Sequence, residues 1–296
     1  MRVFITGASG WIGSAVTDEL LSHGHEVIGL ARSDASAASV AAKGATVQRG
    51  DLDDLASLRA GAENADAVIH LANKHDFANQ AVSNLAERNA VQTLGDVLER
   101  SGRVFLIASG VPGQLGRPGL ETDVSDNHGL ESARGGSENL ALEYSDKGVV
   151  SGAVRFAPTV HGAGDHGFSA VLTQIARDKG FAAYVGEGAN RWPAVYRQDA
   201  ATLVRLGLEQ ASPRAVLHAT GEEGVPTREI AEAIGRSLGV PARSIDPADV
   251  MAHFGWLGLF FSWDVPTSSA ATQERYGWKP AGPTLVEEID AGVYAR

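Results

Sequence analysis

Short apolar runs alternate with segments of helical apolar spacing throughout the first half of the chain. The apolar runs predict strands at residues 3–6, 26–31, 46–48, 67–71, 104–108 and 149–156. The intervening segments predict helices at residues 11–22, 35–43, 54–59, 77–100 and 130–147. Strands that alternate with helices are typical of a parallel sheet with helices on both faces. The pattern therefore predicts an α/β fold with a doubly wound parallel sheet.

The alternation changes after residue 108. Residues 109–127 are rich in glycine, proline and acidic residues, which predicts a long loop. A loop after the carboxyl end of a strand usually lines the site of an open α/β sheet. Beyond residue 158, short strands separate predicted helices at 168–179, 199–209, 227–238, 247–254 and 285–294. We expect one domain at 1–160 and a small mixed α/β C-terminal lobe at 161–296, with the chain crossing back to the sheet around 195–220.

The segment 254–263 is unusually apolar, with aromatic residues at five of its ten positions. It is too short to span a membrane. Two interpretations stay open: it packs in the core of the small lobe, or it forms a pocket wall or an oligomer contact.

Composition narrows the functional classes. The 296 residues include 25 Lys plus Arg and 36 Asp plus Glu, so the formal net charge is −11. This acidic balance argues against binding to nucleic acid or anionic lipid. The absence of cysteine excludes disulfides, thiolate metal sites and cysteine nucleophiles. No apolar run could span a bilayer and no signal-peptide stretch is present, so we expect a cytoplasmic protein whose partner is a small molecule.

Three glycines follow the first predicted strand and open the first predicted helix. In the run TGASGWIG, Gly7 permits a tight turn, Gly10 lets a phosphate approach the backbone, and Gly13 lets the helix pack closely on the sheet. The N-terminus of the helix would then present free N–H groups to a pyrophosphate. The strand–turn–helix context supports a dinucleotide-binding site.

The GxxGxxG spacing resembles that of the extended and atypical short-chain dehydrogenases/reductases, the group that includes NAD-dependent epimerases and dehydratases. Four further segments resemble landmarks of this family in order and spacing, at residues 50–52, 68–72, 155–162 and 195–199. The likeness covers nearly the whole chain. It implies a Rossmann-like, doubly wound sheet that binds the dinucleotide, with the C-terminal lobe binding the substrate.

The end of the second predicted strand bears on the cofactor. An NAD enzyme usually has a carboxylate here for the ribose 2′-hydroxyl, but this chain has Ala31 followed by Arg32 and Ser33. An arginine suits a 2′-phosphate, so NADP(H) is favoured over NAD(H). Alternatively, Arg32 is solvated and Asp34 binds the ribose. The glycine motif and the resemblance together assign cofactor contacts to Gly7, Ser9, Gly10, Trp11, Ile12, Gly13, Arg32, Ser33, Asp51, Leu52, Leu71, Ala72, Asn73, Arg134, Pro158 and Thr159.

The family's catalytic YxxxK motif is missing. The residues four positions after Tyr144, Tyr184, Tyr196 and Tyr276 are not lysine, and the chain ends before that position for Tyr294. The segment 134–138 resembles the family's K-x-x-x-E and places Arg134 at the lysine position and Leu130 at the tyrosine position. Arg134 could hold the ribose hydroxyls but is a poor proton source. We also expect Glu138, one helical turn away, as a partner for Arg134.

Two other residues are candidates for catalysis. His128 precedes the predicted helix 130–147, and an imidazole titrates near neutral pH, which suits a general acid. Ser109 follows the fifth predicted strand, where the family keeps a hydroxyl residue, although that position could also align with Gly110. The alternatives are an exposed loop histidine and a strand-end turn residue. Ser109, His128 and Arg134 form the predicted catalytic set.

The predicted substrate contacts are Lys74, His75, His161, His166, Asn190 and Trp192. For Lys74, His75 and Asp76 a solvated charge run is an equal alternative. The spacing of His161, Asp165 and His166 argues against a metal site. His70, on an apolar strand, is interpreted as a hydrogen-bonded core residue.

Together these features predict an NADP(H)-dependent oxidoreductase. It would transfer hydride between the nicotinamide and a small, fairly apolar carbonyl, imine or enone, since Trp192 and Trp256 suggest an apolar pocket. The alternatives are a non-catalytic NADP(H) sensor and a non-redox isomerase or epimerase. The resemblance also implies a possible homodimer, in which the helix 77–100 of each copy would contribute to a helical bundle.

Overall fold

Twelve strands lie within the part of the chain that the computed structural model describes, residues 1–76 and 79–295. The strands are β1 (Arg2–Thr6), β2 (Glu26–Ala31), β3 (Thr46–Arg49), β4 (Ala67–His70), β5 (Val104–Gly110), β6 (Val150–Phe156), β7 (Thr159–His161), β8 (Ala182–Val185), β9 (Arg191–Tyr196), β10 (Ala215–Ala219), β11 (Glu222–Pro226) and β12 (Ala242–Ile245). Seven of them form one sheet in the order β10-β6-β5-β4-β1-β2-β3. Strands β5, β4, β1, β2 and β3 pair in parallel, each with its neighbour.

The α-helices in the described residues are α1 (Trp11–Ser22), α2 (Asp34–Ala42), α3 (Leu55–Glu63), α4 (Gln80–Leu98), α5 (Ser137–Glu143), α6 (Phe168–Lys179), α7 (Arg197–Glu209), α8 (Thr227–Leu238), α9 (Val250–Phe254), α10 (Leu257–Phe261), α11 (Ala270–Tyr276) and α12 (Leu285–Asp290). Helices α1 to α4 connect successive parallel strands from β1 to β5. The α/β, doubly wound Rossmann-like architecture predicted from the sequence is confirmed.

The chain divides into two compact units. The first comprises residues 1–109, 124–155 and 201–217, and the second comprises residues 110–123, 156–200 and 218–296. Each unit is therefore built from three separate segments of the chain.

The core of the first unit explains why its strands are continuously apolar. Val3, Phe4 and Ile5 of β1 are fully buried because helices cover both faces of a parallel sheet. The ring of Phe4 lies directly on Gly61 of α3, where a side chain would collide with it. Leu94 of α4 is also fully buried in this core.

The second unit has smaller sheets. Strands β7, β9 and β11 form a three-stranded sheet, and β8 pairs with β12 in parallel. Within the apolar segment 254–263, Phe254, Leu257 and Phe261 are buried in the core of this unit. Trp256 and Leu259 are 45% and 55% exposed. The segment thus packs one side in the core and leaves the other at the surface.

Most predicted elements agree with the structure to within two residues, but the predicted helix 130–147 is wrong in its first half. Helix α5 begins only at Ser137, after a 3₁₀ turn at Ala133–Gly136. Arg134, Gly135 and Gly136 have φ of 54°, 62° and 65°, which a right-handed helix does not allow. The pair of glycines explains the break, since glycine favours such left-handed backbone.

Four other predicted helices differ at their ends. The helix predicted at 54–59 continues to Glu63. The helix predicted at 247–254 begins with a 3₁₀ turn at Pro247–Asp249, and the one predicted at 285–294 ends at Asp290. The helix predicted at 77–100 is observed from Gln80 to Leu98. Residues 77 and 78 lie outside the described part of the chain.

Candidate functional site

The glycine-rich loop after β1 is packed backbone against backbone. Gly7 has a φ of 73°, and a Cβ added there would lie 2.8 Å from the amide nitrogen of Ala72. A Cβ on Gly13 would overlap the carbonyl oxygen of Gly7 and lie 2.8 Å from its carbonyl carbon. The N–H of Gly10 donates to the carbonyl of Gly7 at 2.9 Å. The loop therefore brings the start of α1 and the residues after β4 together at one edge of the sheet.

The N-terminus of α1 suits a pyrophosphate. Gly10 is the N-cap residue with extended backbone, and no side chain of the described residues caps the helix. A helix N-terminus of this kind presents backbone N–H groups and the positive end of the helix dipole to an anion. Because Gly10 has no side chain, a phosphate can approach the backbone closely. These residues fit a dinucleotide cofactor.

The ends of β2 and β3 hold a pair of arginines. Arg32 and Ser33 are exposed after β2, and the hydroxyl of Ser33 caps α2. Ala31 lies opposite Arg49 in the β2–β3 register. Arg49 donates to the carboxylate of Asp34 and to the backbone carbonyl of Ser33, both at 2.8 Å. Asp34, the alternative ribose ligand, therefore shares its carboxylate with a cation.

Arg49 is not among the residues predicted from the sequence. Arg49 directly follows the strand predicted at 46–48, but its position beside the end of β2 depends on the pairing of the two strands, which the sequence pattern does not give.

The loops after β3 and β4 hold several predicted cofactor contacts. Asp51 accepts hydrogen bonds from the backbone N–H groups of the next turn, and Leu52 is 8% exposed in the core of the first unit. Lys74 makes a two-oxygen ion pair with Asp53 at 2.7 and 2.8 Å. The N–H of His75, whose φ is 51°, donates to the side-chain oxygen of Asn73. Of the predicted substrate contacts, Lys74 is thus tied to a neighbouring loop.

A buried polar network lies next to the glycine loop. Glu87 of α4 is fully buried and forms an ion pair with Arg134 at 2.5 Å. Its other oxygen accepts from Asn73 at 3.0 Å and lies 3.8 Å from Nε2 of His70. Burial by itself raises the pKa of Glu87, but Arg134 and His70 outweigh this and lower the pKa to about 2. Glu87 is therefore ionised at neutral pH.

His70 is only partly the hydrogen-bonded core residue that the sequence predicts. Its Nδ1 lies 2.7 Å from the hydroxyl of Thr6, which also accepts from the N–H of Ala72. Its Nε2 is buried without a hydrogen-bond partner among the described residues. The ring thus faces the Glu87 carboxylate with its second nitrogen.

The expected pairing of Arg134 with Glu138 is wrong. Arg134 pairs with Glu87, while Glu138 makes a buried bidentate pair with Arg155 of β6. The reason is the left-handed turn at Arg134, which removes the helical register that would bring positions 134 and 138 together.

The other predicted catalytic residues lie at the surface of the first unit. Ser109 is partly exposed near the end of β5. His128 is exposed, with Nε2 at 3.4 Å from the side-chain nitrogen of Asn139. Leu130 is 37% exposed and carries no titratable group. Roles for Ser109 and His128 in catalysis stay predictions.

The second unit holds the remaining predicted residues. Pro158 is partly buried, and the Thr159 hydroxyl donates to the carbonyl of Pro193. His161 is fully buried, with Nδ1 at 2.6 Å from Glu288 and Nε2 at 3.7 Å from Glu222. His166 is exposed.

Asn190 and Trp192 are engaged within the second unit. The Asn190 amide donates to the carbonyls of Phe261 and Trp263 and accepts from the hydroxyl of Thr227. Trp192 is 1% exposed and donates from its ring nitrogen to the carbonyl of Phe260. Trp192 therefore has almost no surface of its own to offer a ligand.

Metal binding and membrane insertion find no support among residues 1–76 and 79–295. No group of three or more His, Asp or Glu side chains there could hold a metal ion. No helix in the same range has both the length and the apolar character needed to cross a membrane.

This chain is similar to several known proteins in sequence or in structure. The uncharacterized protein YLL056C of Saccharomyces cerevisiae is 44% identical over 295 residues, covering 98% of each chain. The decarboxylating sterol-4-alpha-carboxylate 3-dehydrogenase of Dictyostelium discoideum is 25% identical over 244 residues, covering 77% of this chain and 74% of that protein. DesIV, a dTDP-glucose 4,6-dehydratase from Streptomyces venezuelae solved with NAD and TYD bound, has a TM-score of 0.77 at 22% identity, covering 99% of this chain and 96% of its own.

At 22% identity, the similarity to DesIV shows a common fold. The family is shown by a second comparison: a family model described as the NAD dependent epimerase/dehydratase family matches residues 3–226. This range contains the glycine loop, the two arginines beside β2 and the buried network around Glu87. The chain therefore belongs to the NAD-dependent epimerase/dehydratase family.

Proposed function

We propose that the protein is an NADP(H)-dependent oxidoreductase. The observation that carries this proposal is the pair of arginines beside the glycine cradle. Arg32 is exposed at the end of β2, and Arg49 neutralises the carboxylate of Asp34, which would otherwise repel a 2′-phosphate. An edge with a net positive charge and no free carboxylate suits NADP(H), whereas NAD(H) enzymes place a free carboxylate there.

The bound nicotinamide would supply the hydride, and residues of this chain would bind, orient and protonate. The N-terminus of α1 holds the pyrophosphate, and Arg134 holds the ribose next to the nicotinamide. Ser109 polarises the substrate oxygen, and His128, or a water that it orders, supplies the proton. By the resemblance, Leu130 stands at the position of the family's tyrosine, so another group has to supply the proton.

The proposed substrate is a small, fairly apolar carbonyl, imine or enone. The second unit carries exposed apolar side chains at Met251, Trp256 and Leu259. Phe168, whose ring lies 5.9 Å from that of Trp256, continues this surface. Aromatic and aliphatic side chains favour substrates with little charge.

The cofactor preference is the first testable prediction. We expect the wild-type protein to bind NADPH more tightly than NADH in a fluorescence titration. Arg32→Ala and Arg49→Ala should each weaken NADPH binding by about tenfold, the loss of one charge-assisted contact, and leave NADH binding unchanged. Lys43→Ala serves as the control, because Lys43 lies at the other end of α2 and pairs with Asp18.

Two results would contradict the cofactor assignment. One is a wild-type preference for NADH. The other is an equal loss of NADPH and NADH affinity in the arginine variants, since both nucleotides share every group except the 2′-phosphate.

The catalytic assignment is tested by turnover. We expect NADPH consumption with at least one substrate in a panel of carbonyls, imines and enones. With that substrate, Ser109→Ala and His128→Ala should each lower kcat by about tenfold, because water can still supply the proton. His23→Ala, which changes a histidine at the far end of α1, should leave kcat unchanged.

Other outcomes point to the alternatives. Tight NADPH binding without turnover of any substrate would overturn the oxidoreductase proposal and indicate a nucleotide sensor. Substrate isomerisation detected by NMR without net NADPH consumption would indicate a non-redox epimerase.

A further inference from the structure

The left-handed turn at Ala133–Gly136 is held by one face of α4. Asn84, Glu87 and Arg88 lie at helical spacings of three and four residues and therefore share this face. The Asn84 amide donates to the carbonyl of Ser132 at 3.0 Å, and Arg88 donates to that of Gly135 at 2.9 Å. Glu87, between them, binds the guanidinium of Arg134. Three consecutive contacts thus fix the turn to α4.

The backbone of the turn lies in close contact with the backbone of α4. A Cβ on Gly135 would lie 2.5 Å from the backbone oxygen of Asn84, so only glycine lets the turn reach α4. Arg134 itself has a φ of 54°, a region that L residues other than asparagine and aspartate rarely adopt. Such strain persists only where the surroundings hold it, and it clusters at functional sites.

The left-handed turn places Arg134 against the buried charge of Glu87. Glu87 is fully buried and ionised, while the side chain of Arg134 is 31% exposed. One Nη of the guanidinium is therefore anchored on a buried carboxylate while part of the Arg134 side chain stays exposed. The Nε of Arg134 is buried without a hydrogen-bond partner among the described residues. Because a guanidinium has five N–H donors, the Glu87 contact leaves donors for a second acceptor.

Glu87 also joins the turn to the glycine loop. Its second oxygen accepts from Asn73, whose own side-chain oxygen accepts from the N–H of His75. Asn73 follows Ala72, which lies directly against Gly7. One carboxylate thus connects the segment beside the glycine loop with the segment that carries Arg134.

We propose that Glu87 is a positioning residue that aims Arg134 at the nicotinamide-side ribose of the dinucleotide. This inference rests on the proposed cofactor-binding function. Glu87 does not touch the cofactor and acts through Arg134. The family's helical lysine is thereby replaced by an arginine on a strained turn, with its direction set by a carboxylate from α4.

The test compares two nucleotides. NADPH contains both ribose halves, whereas adenosine 2′,5′-bisphosphate contains only the adenosine half. Glu87→Gln keeps the size of the side chain but removes the negative charge that holds Arg134. We expect it to weaken NADPH binding by about tenfold and to leave binding of adenosine 2′,5′-bisphosphate unchanged. Glu99→Gln, the same change at an exposed position directly after α4, should alter neither.

A double-mutant cycle shows whether Glu87 acts through Arg134. In an Arg134→Met background, Glu87→Gln should cause no further loss of NADPH affinity, because the group that it positions is already absent. Melting temperatures without ligand, measured for all four proteins, record any effect on stability separately from binding.

The outcomes separate this inference from the proposed function. If the wild-type protein binds neither nucleotide, the proposed function fails. If the wild-type protein binds both, the inference is overturned by equal weakening of the two nucleotides in Glu87→Gln, by no weakening of NADPH, or by a further tenfold loss in the Arg134→Met background.

Discussion

Replacing Gly13 with alanine should weaken NADPH binding by about 100-fold and destabilise the protein by about 3 kcal/mol. The new methyl group would overlap the carbonyl oxygen of Gly7 and lie 2.8 Å from its carbonyl carbon. The atoms that it would meet belong to the backbone of Gly7 and Ala8, so no side-chain rotation can relieve the clash. The first turn of α1 would therefore have to move away from the loop, and the N–H groups that face the pyrophosphate would move with it.

Binding should be measured by fluorescence titration and stability by urea unfolding of the apo protein. Gly221→Ala is the matched control, since Gly221 has no positive φ and an added Cβ would make only ordinary contacts at 3.4 Å or more. It should behave like the wild type. If the Gly13→Ala variant binds NADPH with wild-type affinity, close packing of α1 on the loop does not form the cofactor site.

Glu138→Gln should lower the free energy of unfolding by about 4 kcal/mol. Arg155 donates to both carboxylate oxygens of Glu138, and the two side chains are only 3% and 7% exposed. Removing the negative charge takes the Glu138 carboxylate away from a guanidinium that is almost fully buried. The position matters because Glu138 lies in the first turn of α5, directly after the left-handed turn.

A double variant tests whether the loss of stability comes from breaking the ion pair. Glu138→Leu with Arg155→Met removes both charges, so its unfolding free energy should lie within about 1 kcal/mol of the wild type. The control is Glu232→Gln, which breaks a half-exposed pair with Arg228 and should cost less than about 0.5 kcal/mol. A loss under about 1 kcal/mol in Glu138→Gln would show that the buried pair adds little.

The glycine loop shows what local sequence can predict. Gly7, Gly10 and Gly13 follow a strand and open a helix, and the observed strand β1 and helix α1 have the predicted order and nearly the predicted bounds. The prediction works because the pattern is local: hydrophobic periodicity defines the elements and glycine spacing defines the turn. Family membership follows from the same motifs.

The segment before α5 shows where this approach fails. Helical spacing predicted that Arg134 and Glu138 would pair, but Gly135 and Gly136 end the helical register before it reaches Arg134. Two glycines are compatible with several backbone paths, and the contacts with α4 select one of them. A sequence pattern does not contain that choice, since the selecting residue Arg88 is 47 positions from Gly135.

The sequence by itself determined the α/β class, the order of strands and helices, the glycine turn and the absence of a tyrosine at the usual catalytic position. The tertiary structure alone decided the partners of the charged residues: Arg49 with Asp34, Arg155 with Glu138, and Arg134 with Glu87. The physical reason is the separation along the chain over which each interaction acts. Periodicity and turn chemistry act between near neighbours in the chain, whereas a buried carboxylate takes its partner from whichever segment the fold brings within hydrogen-bond distance.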